Sequence, residues 1–132
     1  MITFELSLPY LRLELMDAMK FLAFGKEAML APGDPEKESM NYCRLVDIFF
    51  HDISLGDNAS DYIGDVLHDN VELELVEKIV LEIQATFERE IEADCEFLKS
   101  PQFQRLGPLA MKFIQHDEEL RKRKSSNQVN QA

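Results

Sequence analysis

Between Arg44 and Lys78 the chain carries nine carboxylates and no Lys or Arg: Asp47, Asp52, Asp57, Asp61, Asp65, Asp69, Glu72, Glu74 and Glu77. From Asp57 to Asp69 they recur every fourth residue. A continuous helix would stack them on one face as like-charged neighbours, each pair costing roughly a few tenths of a kcal/mol. A chain that keeps such a row breaks the helix within it, holds a cation there, or turns negative potential toward a positive partner. We favour a broken helix combined with a partner-facing surface.

The remainder supplies a core. Of the 132 residues 45% are hydrophobic and 30% charged, enough apolar surface for one globular domain. The net charge of -11 works against nucleic-acid binding, which depends on Lys and Arg neutralising phosphates, and points instead to a basic protein or a cation. Cys43 and Cys95 form no CxxC pair and are expected as reduced core thiols. Met1 to Tyr10 lacks the basic start and apolar run of a signal peptide, and no stretch approaches the ~20 apolar residues of a membrane span. A cytoplasmic protein without a membrane partner is the expectation.

Apolar residues recur at helical spacing along most of the chain. Ser7 as cap and Pro9 in the first turn open a helix to about Gly25. It buries Leu8, Leu11, Leu15, Ala18, Met19 and Leu22 and leaves Arg12, Glu14, Asp17 and Lys20 wet. Ala31 to Ser39 is a loop whose Asp34-Pro35 end can start the next helix, with Met40, Cys43, Val46, Phe49, Phe50 and Ile53 inside and a stop before Gly56. One short helix is expected between Asp57 and Asn70, on Tyr62, Ile63, Val66 and Leu67, with Gly64 weakening it. Asp69 or Asn70 then caps the longest and most central helix, Val71 to about Glu92, with Glu72 at capping-box spacing. Its inner residues are Leu75, Val76, Ile79, Ile83 and Phe87, and Leu73, Val80 and Leu81 widen the arc. Ser100-Pro101 makes another cap. Gly107-Pro108 divides the rest of the chain, so the last helix should begin near Pro108 and end by Lys124, burying Leu109, Phe113 and Ile114. Thr3 to Leu6 is read as coil. No sustained alternation argues for strands. The expectation is an all-α, single-domain bundle of about five helices over residues 1–124, without significant sheet, and a flexible tail from Ser125 to Ala132.

No chemical constellation is complete. Asp65 and His68 stand three apart with Asp69 and Glu72 a turn on, but helical di-metal proteins use Glu-x-x-His twice with two further Glu, and one loose copy occurs here. Asp47 and His51, four apart, could form an acid–base pair, with no recognisable nucleophile or glycine-rich phosphate loop nearby. The run from Asp57 to Asp61 is not followed by the glycine and glutamate that an EF-hand needs at its sixth and twelfth places. No catalytic residue, metal or cofactor is assigned.

Two blocks, Asp61 to Val76 (DYIGDVLHDNVELELV) and Asp94 to Ile114 (DCEFLKSPQFQRLGPLAMKFI), resemble parts of small, acidic, helical bacterial proteins. The general character is similar to that of immunity proteins of contact-dependent growth inhibition systems, which bind and neutralise one cognate toxin inside the cell. The resemblance implies a bacterial cytoplasmic helical protein with a protein partner. It rests on apolar patterns around an Ile-Gly-Asp-Val-Leu turn and carries over no functional residue.

With the charge, it leads to an immunity-type inhibitor of a basic toxin. A nuclease is the concrete case, because a domain that binds polyphosphate is often cationic. The expected contacts are Asp57, Asp61, Asp65, Asp69 and Glu72, with Tyr62 as an aromatic anchor. The plain alternative is an acidic face that serves solubility. From other classes come a metal-dependent helical enzyme using His68 with Asp65, Asp69 or Glu72, and a protein that self-associates through the Phe49-Phe50 helix.

Overall fold

Apolar spacing of three and four residues becomes helix wherever it is sustained. A computed structural model describes residues 5–25, 41–89 and 94–130. Helix α1 (Pro9–Phe24) is followed by α2 (Tyr42–Asp47), which runs directly into a π-helical turn (Ile48–Asp52). Next come α3 (Leu55–Asn58) with a 3-10 turn (Ala59–Tyr62), then α4 (Asn70–Glu88), α5 (Asp94–Lys99) and α6 (Pro101–Asn130). The fold is all-α. Among the described residues there is no strand, and one isolated bridge joins Ile63 to Leu67. No helix of the described residues is long and apolar enough to cross a membrane.

The hub of the bundle is α6, which packs against α1, α4 and α5, so the central position expected for the Val71 helix passes to the last one. Leu15, Met19 and Leu22 of α1, Val76, Ile79 and Ile83 of α4, and Leu106, Ala110 and Phe113 of α6 form the buried interior with Leu45, Ile48 and Phe49. Phe97 of α5 seals one end, its ring centroid 4.7 Å from that of Tyr42 and 5.3 Å from that of Phe103. On α4 the apolar arc is narrower than its sequence suggests, since Leu81 is 66% and Phe87 45% exposed.

Several boundaries move for local reasons. Ser7 does not cap α1; Leu8 holds that position, and the Ser7 hydroxyl donates to Asp65 instead. The Ser7 and Leu8 amides reach the carbonyls of Gly64 and Asp65 at 3.1 and 2.9 Å, so the start of α1 is tied to a turn 58 residues away. The one short helix expected between Asp57 and Asn70 is confined to the end of α3 and the 3-10 turn, and the Gly64 turn takes the rest. The Tyr62 carbonyl accepts from the amides of Asp65, Val66 and Leu67, and Gly64 takes φ 95°, a left-handed conformation that suits glycine. The second helix ends when Ile53 turns extended, not at Gly56, which lies inside α3. A Cβ at Gly56 would come within 2.7 Å of the Phe50 ring, so glycine there serves packing. Phe49 is in the core as expected, whereas Phe50 is half-buried against Phe87. Cys43 is exposed, not a core thiol. The Asp34-Pro35 helix start, Met40 and the side chain of Cys95 lie outside the described residues, as do 90–93, the expected end of the fourth helix, and Gln131 and Ala132 of the expected tail.

Helix α6 starts seven residues before Pro108 and passes through it. Ser100 caps it, its Oγ accepting from the Phe103 amide at 3.1 Å. A proline restricts its predecessor through clashes of its Cδ with that residue's N–H and Cβ, and Gly107, lacking a Cβ, removes the second of these. The helix continues through Ser125 to Asn130, into the stretch read as a tail. Pro108 still brings no N–H to the Gln104 carbonyl one turn earlier. Pro108→Ala is therefore expected to stabilise the protein by up to about 3 kcal/mol, the interior helix penalty of proline. A urea midpoint that stays the same or falls would show that the ring is accommodated without cost.

Candidate protein-interaction surface

The acidic stretch divides into an inner and an outer set. The inner set begins where the chain enters α4. Asp69, in extended conformation, caps the helix, its Oδ1 accepting from the Glu72 amide at 3.0 Å. Its Oδ2 lies 2.7 Å from His116 Nε2 of α6. Glu72, at the third helical position, reaches back one residue further than a capping box requires: Oε1 accepts from the His68 amide at 2.7 Å. The same carboxylate is gripped from α1. Arg12 donates from Nη1 and Nη2 to Glu72 at 2.8 and 2.7 Å, from Nη2 to Asp117 Oδ1 at 2.7 Å, and from Nη1 to the Val66 carbonyl at 3.0 Å. Its guanidinium carbon stands 4.9 Å from the Phe113 ring centroid, and Asp117 is met on its other oxygen by Arg121 at 3.0 Å.

Glu72 is 0% exposed and Arg12 6%, so this is an interior charge network joining α1, α4 and α6. Burial works to lower the Arg12 pKa, but the hydrogen bonds and charges of Glu72 and Asp117 outweigh it and hold it above the ordinary guanidinium value. For Asp69, burial works upward, yet the Glu72 amide, the His116 hydrogen bond and the charges of His116 and His68 bring the carboxyl below its ordinary 3.8.

Asp69 and Glu72 therefore leave the expected contact set: Glu72 turns inward to neutralise Arg12, and Asp69 turns inward to cap α4 and meet His116. The outer set stays wet. Asp57 and Asp61 are exposed, Asp65 is half-buried and held by Ser7, and Tyr62 is half-buried with its hydroxyl accepting from the Ser54 amide at 3.1 Å. Glu74 and Glu77 of α4 are exposed as well. Between the Leu55–Ser60 segment and α4 lies a groove of about 230 Å3, floored by Leu55, Ala59 and Val80 and edged by Asp57, Glu77 and Leu81.

The residues with potential for chemistry separate. The metal candidates Asp69 and Glu72 are engaged by His116 and Arg12, and among the described residues no group of three or more His, Cys, Asp and Glu could hold a metal ion. His51 Nδ1 lies 3.0 Å from Asp47 Oδ1 with both side chains exposed. No protein-family model, no curated protein and no solved structure matches the chain.

Sequence reasoning missed Arg12, His116 and Asp117. For two of them a signal existed: Arg12 falls in phase with Leu15, Met16 and Met19, and Asp117 with Phe113, Ile114 and Leu120, so charges of opposite sign occupy apolar stripes of two helices. Glu77 and Leu81 also find other surroundings than their sequence suggests, since the solvated face and the apolar arc of α4 meet at the groove.

Arg12→Met is expected to destabilise by about 3–5 kcal/mol, because it leaves Glu72 and Asp117 buried without their shared cation. Adding Glu72→Leu and Asp117→Leu should restore much of the loss. Chemical denaturation of the single and triple variants measures both, and an equal loss in each would assign the effect to packing. Because the folded Asp69 pKa lies below the unfolded one, its contribution is present above the ordinary carboxyl range and disappears as pH falls through the folded value. The stability gap between the native protein and Asp69→Asn should accordingly narrow on acidification below 3.8. A gap independent of pH would remove the charge of Asp69 from the account.

Proposed function

We propose that the protein is an inhibitor-type binding protein of the immunity kind, acting in the cytoplasm on one basic toxin, with a nuclease as the concrete case. The observation that carries the reading is the group of exposed carboxylates Asp57, Asp61, Glu74 and Glu77, drawn from a stretch without Lys or Arg on a chain of net charge -11. Such a field accelerates encounter with a cationic domain and disfavours anionic competitors. The contact set consists of Asp57 and Asp61, with Tyr62 and Asp65 at its margin. Resemblance to immunity proteins supports the same reading.

Capture from the source cell, with the product of the adjacent upstream gene as first candidate, tests it. Recovery of a basic protein is expected. Failure to recover one, together with unaltered growth of a deletion strain under toxin challenge, would sink the proposal.

For the captured partner, Asp57→Asn with Asp61→Asn should slow association while stability stays within about 1 kcal/mol of the parent, as for exposed charges generally. Raising ionic strength should slow association of the native protein more than it speeds dissociation, since exposed charges act over about a Debye length of ~8 Å at physiological salt. A salt-insensitive association rate would move the interface elsewhere.

A further inference from the structure

We infer that the groove between the Leu55–Ser60 segment and α4 receives an arginine side chain of the basic partner, an inference that rests on the binding-protein reading above. The groove combines two chemistries. Leu55, Ala59 and Val80 are buried apolar residues at its floor, and Leu81 stands at its edge 66% exposed. Asp57 comes to it from α3 and Glu77 from α4, and among the described residues neither is met by a cation.

An apolar occupant would strip water from those carboxylates without replacing its hydrogen bonds, and an anion would be repelled. A long basic side chain suits both parts, laying its methylenes along the floor and its charge between the acids. Arginine fits better than lysine: its guanidinium is less strongly hydrated, and its planar fork donates to more than one oxygen at once. Ser60 and Gln84 add neutral polar groups to the lining. The wall is preorganised, since Gly56 leaves no room for a Cβ against the Phe50 ring, and that ring packs on Phe87 with centroids 5.5 Å apart.

Titration of the full chain with N-acetyl-arginine amide, followed through backbone amide NMR shifts, tests this directly. Shifts are expected at Gly56, Ser60, Leu81 and Gln84, weaker with the lysine analogue and absent with the uncharged citrulline analogue. Glu77→Gln and Leu81→Ala should each weaken binding by about two- to fivefold, the scale of a single exposed contact, while the same loss of charge by Glu118→Gln on α6 leaves it unchanged. Shifts spread equally over Asp47, Glu74 and Glu118, or an equal response to citrulline, would overturn the assignment. Capture of the basic partner by the Glu77→Gln and Leu81→Ala proteins at undiminished affinity would also overturn it and leave the binding-protein reading standing. Failure to capture any basic partner is the failure of that reading, and the arginine titration still reports on the groove.

Discussion

One guanidinium holds three helices in register. Arg12 lies inside the bundle, and its two terminal nitrogens are shared among Glu72 of α4, Asp117 of α6 and the carbonyl of Val66. A charge brought into an interior is costly unless its partners are already in place, so the network forms in full or becomes a strong destabilising element. It ties α1, α4 and α6 together through directional contacts, in addition to their apolar packing. Among the described residues the buried Arg12 Nε has no hydrogen-bond partner, and the face of Phe113 lies against the same guanidinium. The Asp69–His116 contact adds a second polar link between the start of α4 and α6.

The network takes up two carboxylates of the cation-free run, and breaks in the backbone disperse the others. A continuous helix would have aligned Asp57, Asp61, Asp65 and Asp69 on one face. The chain instead passes through a short helix, a 3-10 turn and the tight turn at Gly64, which send these side chains in different directions. Asp65 is drawn to Ser7, Asp69 to the α4 amide and His116, and Glu72 to Arg12. The repulsion that remains is carried by carboxylates at the surface, where water screens it. Interior and exterior charge are thus separate assignments within one stretch, the first structural and the second solvated.

The outer carboxylates differ from a plain solubility face in their surroundings. Around Asp57 and Glu77 the surface is concave and partly apolar, with Leu81 and Phe87 exposed along the neighbouring helix. Solvated charge by itself supplies encounter rate and little affinity, while an apolar floor beneath it supplies contact area that strengthens a complex once formed. On the proposed binding reading, long-range attraction and a short-range apolar seat coincide at this groove.

Local chemistry is what the sequence determined alone. Helical spacing, the Asp69 and Ser100 caps and the glycine turn all act between residues a few positions apart, and the all-α fold with its broken acidic row is their result. Gly107-Pro108 misled because the usual restriction before proline weakens when the preceding residue has no Cβ. Tertiary structure decided which charges pair inside. Glu72 and Asp117 lie 60 and 105 residues from Arg12 along the chain, and although two of the three sit on apolar stripes, nothing local says which partner each will meet. It also decided that Leu81 would border a groove and that α6 would be the hub, because both depend on which faces of other helices arrive to cover them.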